Sequence, residues 1–116
     1  MARQYIWAII KRPGEQPEER LIPNELREYQ RRVGGYVEAV GLDGGAVLLC
    51  NEEGKLRGMP HNVTLPGGEE IVGTAVIVGM DGDEFVSCPM RVSTVPGAEQ
   101  ESRRVTPWLW EVETDA

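Results

Sequence analysis

Residues 4–10, Gln-Tyr-Ile-Trp-Ala-Ile-Ile, form the first apolar run of the chain. Aromatic and β-branched side chains in such a run predict a pleated, largely buried strand rather than a helix. Pro13-Gly14 ends it, since proline donates no ladder bond and glycine turns readily. Beyond a polar loop, residues 19–22 are expected to form a short second strand at a sheet edge. Asn24 then opens the one helix that the pattern supports, its side-chain oxygen suited to an orphan amide of the first turn. Glu25 and Glu28 fall near the positive helix start, and Arg31 and Arg32 near the negative end. Leu26, Tyr29 and Val33 make one apolar stripe, and Gly34 supplies the residue type that commonly closes a helix.

Residues 36–42 and 46–50 are two further strand-like runs, joined by Asp43-Gly44-Gly45. Residues 71–79 and 84–88 form a second such pair around residues 80–83. Glycine-containing connections of this length are hairpin signals. Between the two hairpins, residues 51–70 are broken by Gly54, Gly58, Pro60, Pro66, Gly67 and Gly68 and are expected to be loop. Loops longer than about 12–15 residues are uncommon in compact domains unless they carry function. The order strand, strand, helix, hairpin, hairpin predicts an α+β fold. It is a mainly antiparallel sheet of five or six strands, with one helix (about 24–33) packed on one face. Residues 1–90 form this single domain. Residues 91–116 read as a polar linker followed by a tryptophan-containing segment that docks on the domain or on a partner subunit.

Length and charge narrow the classes. A chain of 116 residues supports one domain. Cys50 and Cys88 could close at most one disulfide and form no close-spaced pair of the zinc or redox type. No apolar run approaches the roughly 20 residues of a membrane span, and the N-terminus lacks a signal-peptide pattern. The expected setting is therefore a reducing cytoplasm. Of the net charge of −7, residues 33–90 carry the largest share: nine acidic side chains against Lys55 and Arg57. Such a field opposes direct nucleic-acid binding. It suits a basic protein partner or a mimic of nucleic acid, or it simply keeps a small domain in solution.

Chemistry is sparse. His61 is the one histidine, no Gly-x-Ser-x-Gly elbow is present, and no spacing suits zinc, so neither a metal nor a cofactor is expected. Asp81-Gly82-Asp83-Glu84 reads as a hairpin turn rather than a calcium loop. Residues 41–45 lack the Gly-Lys-Ser/Thr that closes a phosphate loop. One constellation remains in the 51–62 loop. Asn51, Glu52, Lys55, Pro60 and Asn62 are candidate ligand-binding residues, since two amides flanking an ammonium can read a polar ligand. The alternative is that Asn51 and Asn62 pin their own loop through side-chain-to-backbone bonds.

At these residues the sequence resembles a known family. Gly34-Gly35-Tyr36-Val37-Glu38, the run Asn51-Glu52-Glu53-Gly54-Lys55-Leu56, Pro60 with Asn62, and Ile71-Val72-Gly73-Thr74-Ala75 are similar to the bacterial and phage family called domain of unknown function 3846. The likeness covers residues 6–88. It departs from the pattern at Pro60-His61, where members often carry two prolines before the asparagine. The family name carries no activity, but the resemblance implies a passenger of phages, plasmids or conjugative elements in a bacterial host. The leading expectation is a non-catalytic binding module that sequesters a small polar or nucleotide-like ligand through the 51–62 loop, in a counter-defence role. The alternative is an acidic module that blocks a host protein or mimics nucleic acid. A small enzyme using Glu52, Glu53, Lys55 and His61 stands third. Trp108 and Trp110 are candidate interface residues, because each indole can bury about 150–250 Å² on its own sheet or in a homo-oligomer.

Overall fold

A computed structural model of the protein describes residues 4–89. The expected strands are β1 (Tyr5–Lys11), β2 (Glu18–Pro23), β3 (Val37–Gly41), β4 (Ala46–Asn51), β7 (Ala75–Asp81) and β8 (Glu84–Val86). They form one antiparallel sheet in the order β2-β1-β7-β4-β3, with β8 also paired to β7. The α+β expectation holds, with α1 (Leu26–Val33) as the helix on one face. β4 is buried along its whole length, as a continuous apolar run in mid-sheet should be. Its residues alternate between two cores. Val47 and Leu49 meet Ile6, Ala8, Ile10, Val76, Val78 and the helix residues Tyr29 and Val33. Ala46, Leu48 and Cys50 face the other side with Ile9, Ala75 and Ile77.

That second face is where the structure departs from expectation. Residues 51–70 are not an irregular loop. They hold β5 (His61–Thr64), and together with β6 (Glu70–Val72) this makes a two-stranded sheet. Val63 and Ile71 of this sheet, with Leu65 in the connection between its strands, seal the second core. The glycines and prolines hid the strands because they occupy the connections, not the strands themselves. Residues 71–79 are likewise not one strand. The chain breaks at Gly73, whose φ of 74° is left-handed, and passes from the small sheet to the large one.

Two details of the helix also differ. Glu25, not Asn24, is the N-cap residue, and it makes no side-chain capping bond. The Asn24 amide is instead engaged in tertiary contacts. Its Oδ1 accepts the Tyr29 hydroxyl at 2.5 Å, and its Nδ2 donates to the Phe85 carbonyl at 2.9 Å. Tyr29 then meets the Phe85 ring edge-on, with centroids 5.5 Å apart. Leu26 leaves the predicted stripe and is 63% exposed, so α1 meets the sheet through Tyr29 and Val33. Among the described residues no helix is long and apolar enough to cross a membrane. Trp108, Trp110 and the 91–116 segment lie outside the described residues.

Candidate functional site

The site grows from the end of β4. Asn51, 4% exposed, donates from Nδ2 to the Val33 carbonyl at 3.1 Å and accepts the Glu53 N–H on Oδ1 at 2.7 Å. The first bond satisfies an orphan carbonyl at the helix end. The second starts a tight helical turn that continues with Arg57 N–H to Glu53 O and Met59 N–H to Gly54 O. Arg57 Nη1 donates to the Gly34 carbonyl at 3.0 Å, a cation placed at the negative end of α1. Gly35 permits this junction: a Cβ there would lie 2.9 Å from Asn51 Nδ2.

Asn62, also 4% exposed, fastens the opposite end of the segment. Its Nδ2 donates to the Lys11 and Gly73 carbonyls, both at 2.8 Å, and its Oδ1 accepts from Lys11 Nζ at 3.0 Å. The Pro60 carbonyl accepts the Gly73 N–H at 2.8 Å. Thus Asn51 and Asn62 do not flank a ligand cavity with free amides. They tie the 51–62 segment to α1, to β1 and to the β6–β7 crossing.

Of the other candidates, Glu52 and Lys55 are brought together in a small pocket of about 90 Å³ that Glu38, Cys50, Asn51, Glu69, Glu70 and Ile71 also line. Pro60 does not line it. Glu53 points elsewhere, to a cleft shared with Gln30, Tyr36 and Arg57. His61 Nδ1 lies 2.8 Å from Glu70 Oε2 in an exposed pair. Of the four residues named for an enzyme, Glu52 and Lys55 share the small pocket, His61 pairs with Glu70 of its lining, and Glu53 faces a different cleft. The Cys50 thiol is pushed up to about 11, first by burial and then by the Glu38 and Glu69 carboxylates, with Lys55 opposing them. A thiol of that kind is an inert core group, not a nucleophile.

A larger cleft of about 310 Å³ continues from this pocket, lined by Val40, Leu42, Asp43, Leu65, Pro66 and Glu69. Glu69 borders both spaces, so the two lie side by side along β3 and the β5–β6 sheet and together make an acidic groove. Five of the nine acidic residues in the 33–90 region, Glu38, Asp43, Glu52, Glu69 and Glu70, lie along it. Among the described residues Lys55 is the one lysine or arginine that lines it. Among the described residues no three of these groups converge closely enough to hold a metal ion.

Glu38, Glu69 and Glu70 were not among the sequence candidates. Period-two alternation in β3 would have put Glu38 and Val40 on one face. The placement of Glu69-Glu70 beside them required knowing that residues 61–72 fold back as a hairpin.

A model of the family described as Domain of unknown function (DUF3846) matches residues 6–95. The chain belongs to the DUF3846 family. No curated protein and no solved structure matches it. The residues that carry the DUF3846 likeness converge on a structural knot: Gly35 and Asn51 at the helix end, Gly54 and Gly73 against Met59, and Asn62 beneath them. In this DUF3846 domain the acidic groove lies beside the knot, and the knot holds its two walls in place.

Proposed function

We propose that the domain is a non-catalytic protein-binding module whose acidic groove takes a basic surface of a partner. The observation that supports this most directly is that Glu38, Asp43, Glu52, Glu69 and Glu70 line the groove beside Val40, Leu42, Leu65 and Ile71, with Lys55 the one lysine or arginine among its described lining residues. Charges collected in a cleft with apolar walls raise the local potential and steer a cationic partner. The geometry supports this reading over sequestration of a nucleotide-like ligand. The pocket beside Lys55 is only about 90 Å³, and the adjoining cleft of about 310 Å³ is lined by Asp43 and Glu69 with no cation among its described lining residues. The surrounding carboxylates would also repel a phosphate, and the Asn51 and Asn62 amides are already engaged. In the mobile-element setting implied by the family resemblance, such a module would act by covering a basic surface of a host protein, as a counter-defence device or a mimic of nucleic acid.

The test is binding of a fluorescent Arg-rich peptide, followed by anisotropy at low and high salt. Affinity should fall about tenfold or more between about 50 and 500 mM salt, because exposed charge pairs are screened within a few ångströms at the upper value. Joint Glu38→Gln, Glu69→Gln and Glu70→Gln substitution should weaken binding by a similar factor. An affinity that is indifferent to salt and to these substitutions overturns the proposal.

A further inference from the structure

Among the described residues the outer side of β3 is an open sheet edge, and β3 forms one wall of the groove. Two bonds determine which backbone groups lie there. The Glu52 N–H donates to the Tyr36 carbonyl at 2.8 Å, and the Leu42 N–H to the Ala46 carbonyl at 2.9 Å. The register runs from Val37↔Asn51 to Gly41↔Val47. Hydrogen-bonded and non-hydrogen-bonded pairs alternate in an antiparallel ladder, so Glu38 and Val40 turn their backbone groups toward β4. Val37, Ala39 and Gly41 turn theirs away, along an edge with which no strand pairs among the described residues.

Proteins usually blunt such an edge with proline, lysine, bulges or inward charges. β2, at the opposite end of the sheet, carries Glu18, Glu19 and Arg20 and ends on Pro23. β3 has no proline, no lysine and no break in register. Its one charge, Glu38, shares a face with Val40, and both line the groove.

We infer that β3 accepts an extended segment of a basic partner protein as an added strand, a mode of recognition that rests on the acidic-groove reading above. Backbone bonds to Val37, Ala39 and Gly41 supply the pairing, and alternate side chains of the guest enter the groove. Same-face side chains of a strand stand about 7 Å apart. A guest with an apolar residue over Val40 and Leu42 therefore brings the residues two positions away on either side toward Glu38 and Glu69 at one end and Asp43 at the other. The matching chemistry is a cation, an apolar residue and a second cation at alternate positions, and it reads alike in both chain directions. A second copy of β3 matches less well, because it would bring another Glu38 against these carboxylates.

The probe is the peptide Thr-Arg-Thr-Val-Thr-Arg-Thr, added to the full chain and followed by amide hydrogen exchange in NMR spectra. Exchange at Val37, Ala39 and Gly41 should slow about tenfold or more on saturation, as for amides drawn into a ladder, while Glu38 and Val40 stay as they were. Backbone N-methylation of one alternating set of peptide residues should abolish binding, and methylation of the other set should not. If the peptide binds but the three amides are unaffected, or if both methylated sets lose affinity equally, strand addition is overturned and the acidic-groove reading stands. Failure of the peptide to bind at low salt overturns both. Slow exchange at the same amides in the free protein, with a doubled mass in solution, would assign the edge to a second copy and overturn the inference.

Discussion

At the scale of single residues, the two buried asparagines are the positions where a functional and a structural reading of the sequence separate. Asn62→Ala leaves the Lys11 and Gly73 carbonyls without their donor. An abandoned buried polar group costs about 1–3 kcal/mol, so chemical unfolding should show a loss of about that size. Asn51→Ala should behave alike through Val33 and Glu53. Lys55→Ala, at an exposed position, should stay within about 0.5 kcal/mol of the parent. A pinned loop was thus legible in the sequence as one of two roles for these amides. Their partners were not, because Val33, Lys11 and Gly73 are brought to them only by the tertiary fold. Asn24 shows the same limit: its cap-like position was visible, but Tyr29 and Phe85 claim its side chain.

Two other buried residues give the protein an alkaline limit. The Cys50 thiol is raised from 9.0 to about 11, chiefly by burial. The Tyr29 hydroxyl is raised from 10.0 to about 12, by burial and then by the Glu28 charge. In each case the folded state holds its proton where the unfolded chain has lost it. The contribution is therefore complete below pH 9 for Cys50 and below pH 10 for Tyr29, and it is lost as pH rises to about 11 and about 12. Stability measured by urea titration should fall across that window. Cys50→Ala should flatten the lower part of the decline.

At the scale of elements, the crossing from β6 to β7 is the device that makes two sheets from one continuous apolar stretch. Residues 71–79 carry β-favouring side chains throughout, so the pattern reads as one strand, and only Gly73 interrupts it. A Cβ at Gly73 would stand 2.8 Å from Met59 Sδ, whereas one at Gly44 would meet nothing within 4 Å, although the two have φ of 74° and 78°. Left-handed backbone costs an L-residue about 1–2 kcal/mol. Gly44→Ala should show that cost alone. Gly73→Ala should exceed it, and the difference between their unfolding free energies measures the packing of Met59.

At the scale of the molecule, charge and topology each have a direction. α1 contributes Arg27, Arg31 and Arg32 on one side of the sheet, while the carboxylates of the groove collect on the other. The regional charge arithmetic anticipated an acidic middle, but the meeting of its members on one groove follows from the β5–β6 sheet folding over β4. Five strands of the large sheet were legible because their apolar runs and turn residues alternate cleanly, and β7 was legible as part of a run that also held β6. Their order was not, since nothing local in β7 says that it will lie between β1 and β4.

That placement sets a condition on how the chain is made. β1 with β2 and β3 with β4 are hairpins whose partners are neighbours in sequence, yet the two hairpins share no strand until β7 arrives. During synthesis from the N-terminus the first 74 residues can form local pairs but lack the strand that joins them, and contacts of such sequence separation are slow to form. Throughout that interval the apolar flanks of β1 and β4 stand open to the solvent, and to one another on neighbouring nascent chains. A protein cut after residue 74 should accordingly show no cooperative unfolding transition and should aggregate. The ribosome must therefore deliver β7 before the two hairpins can close into one sheet.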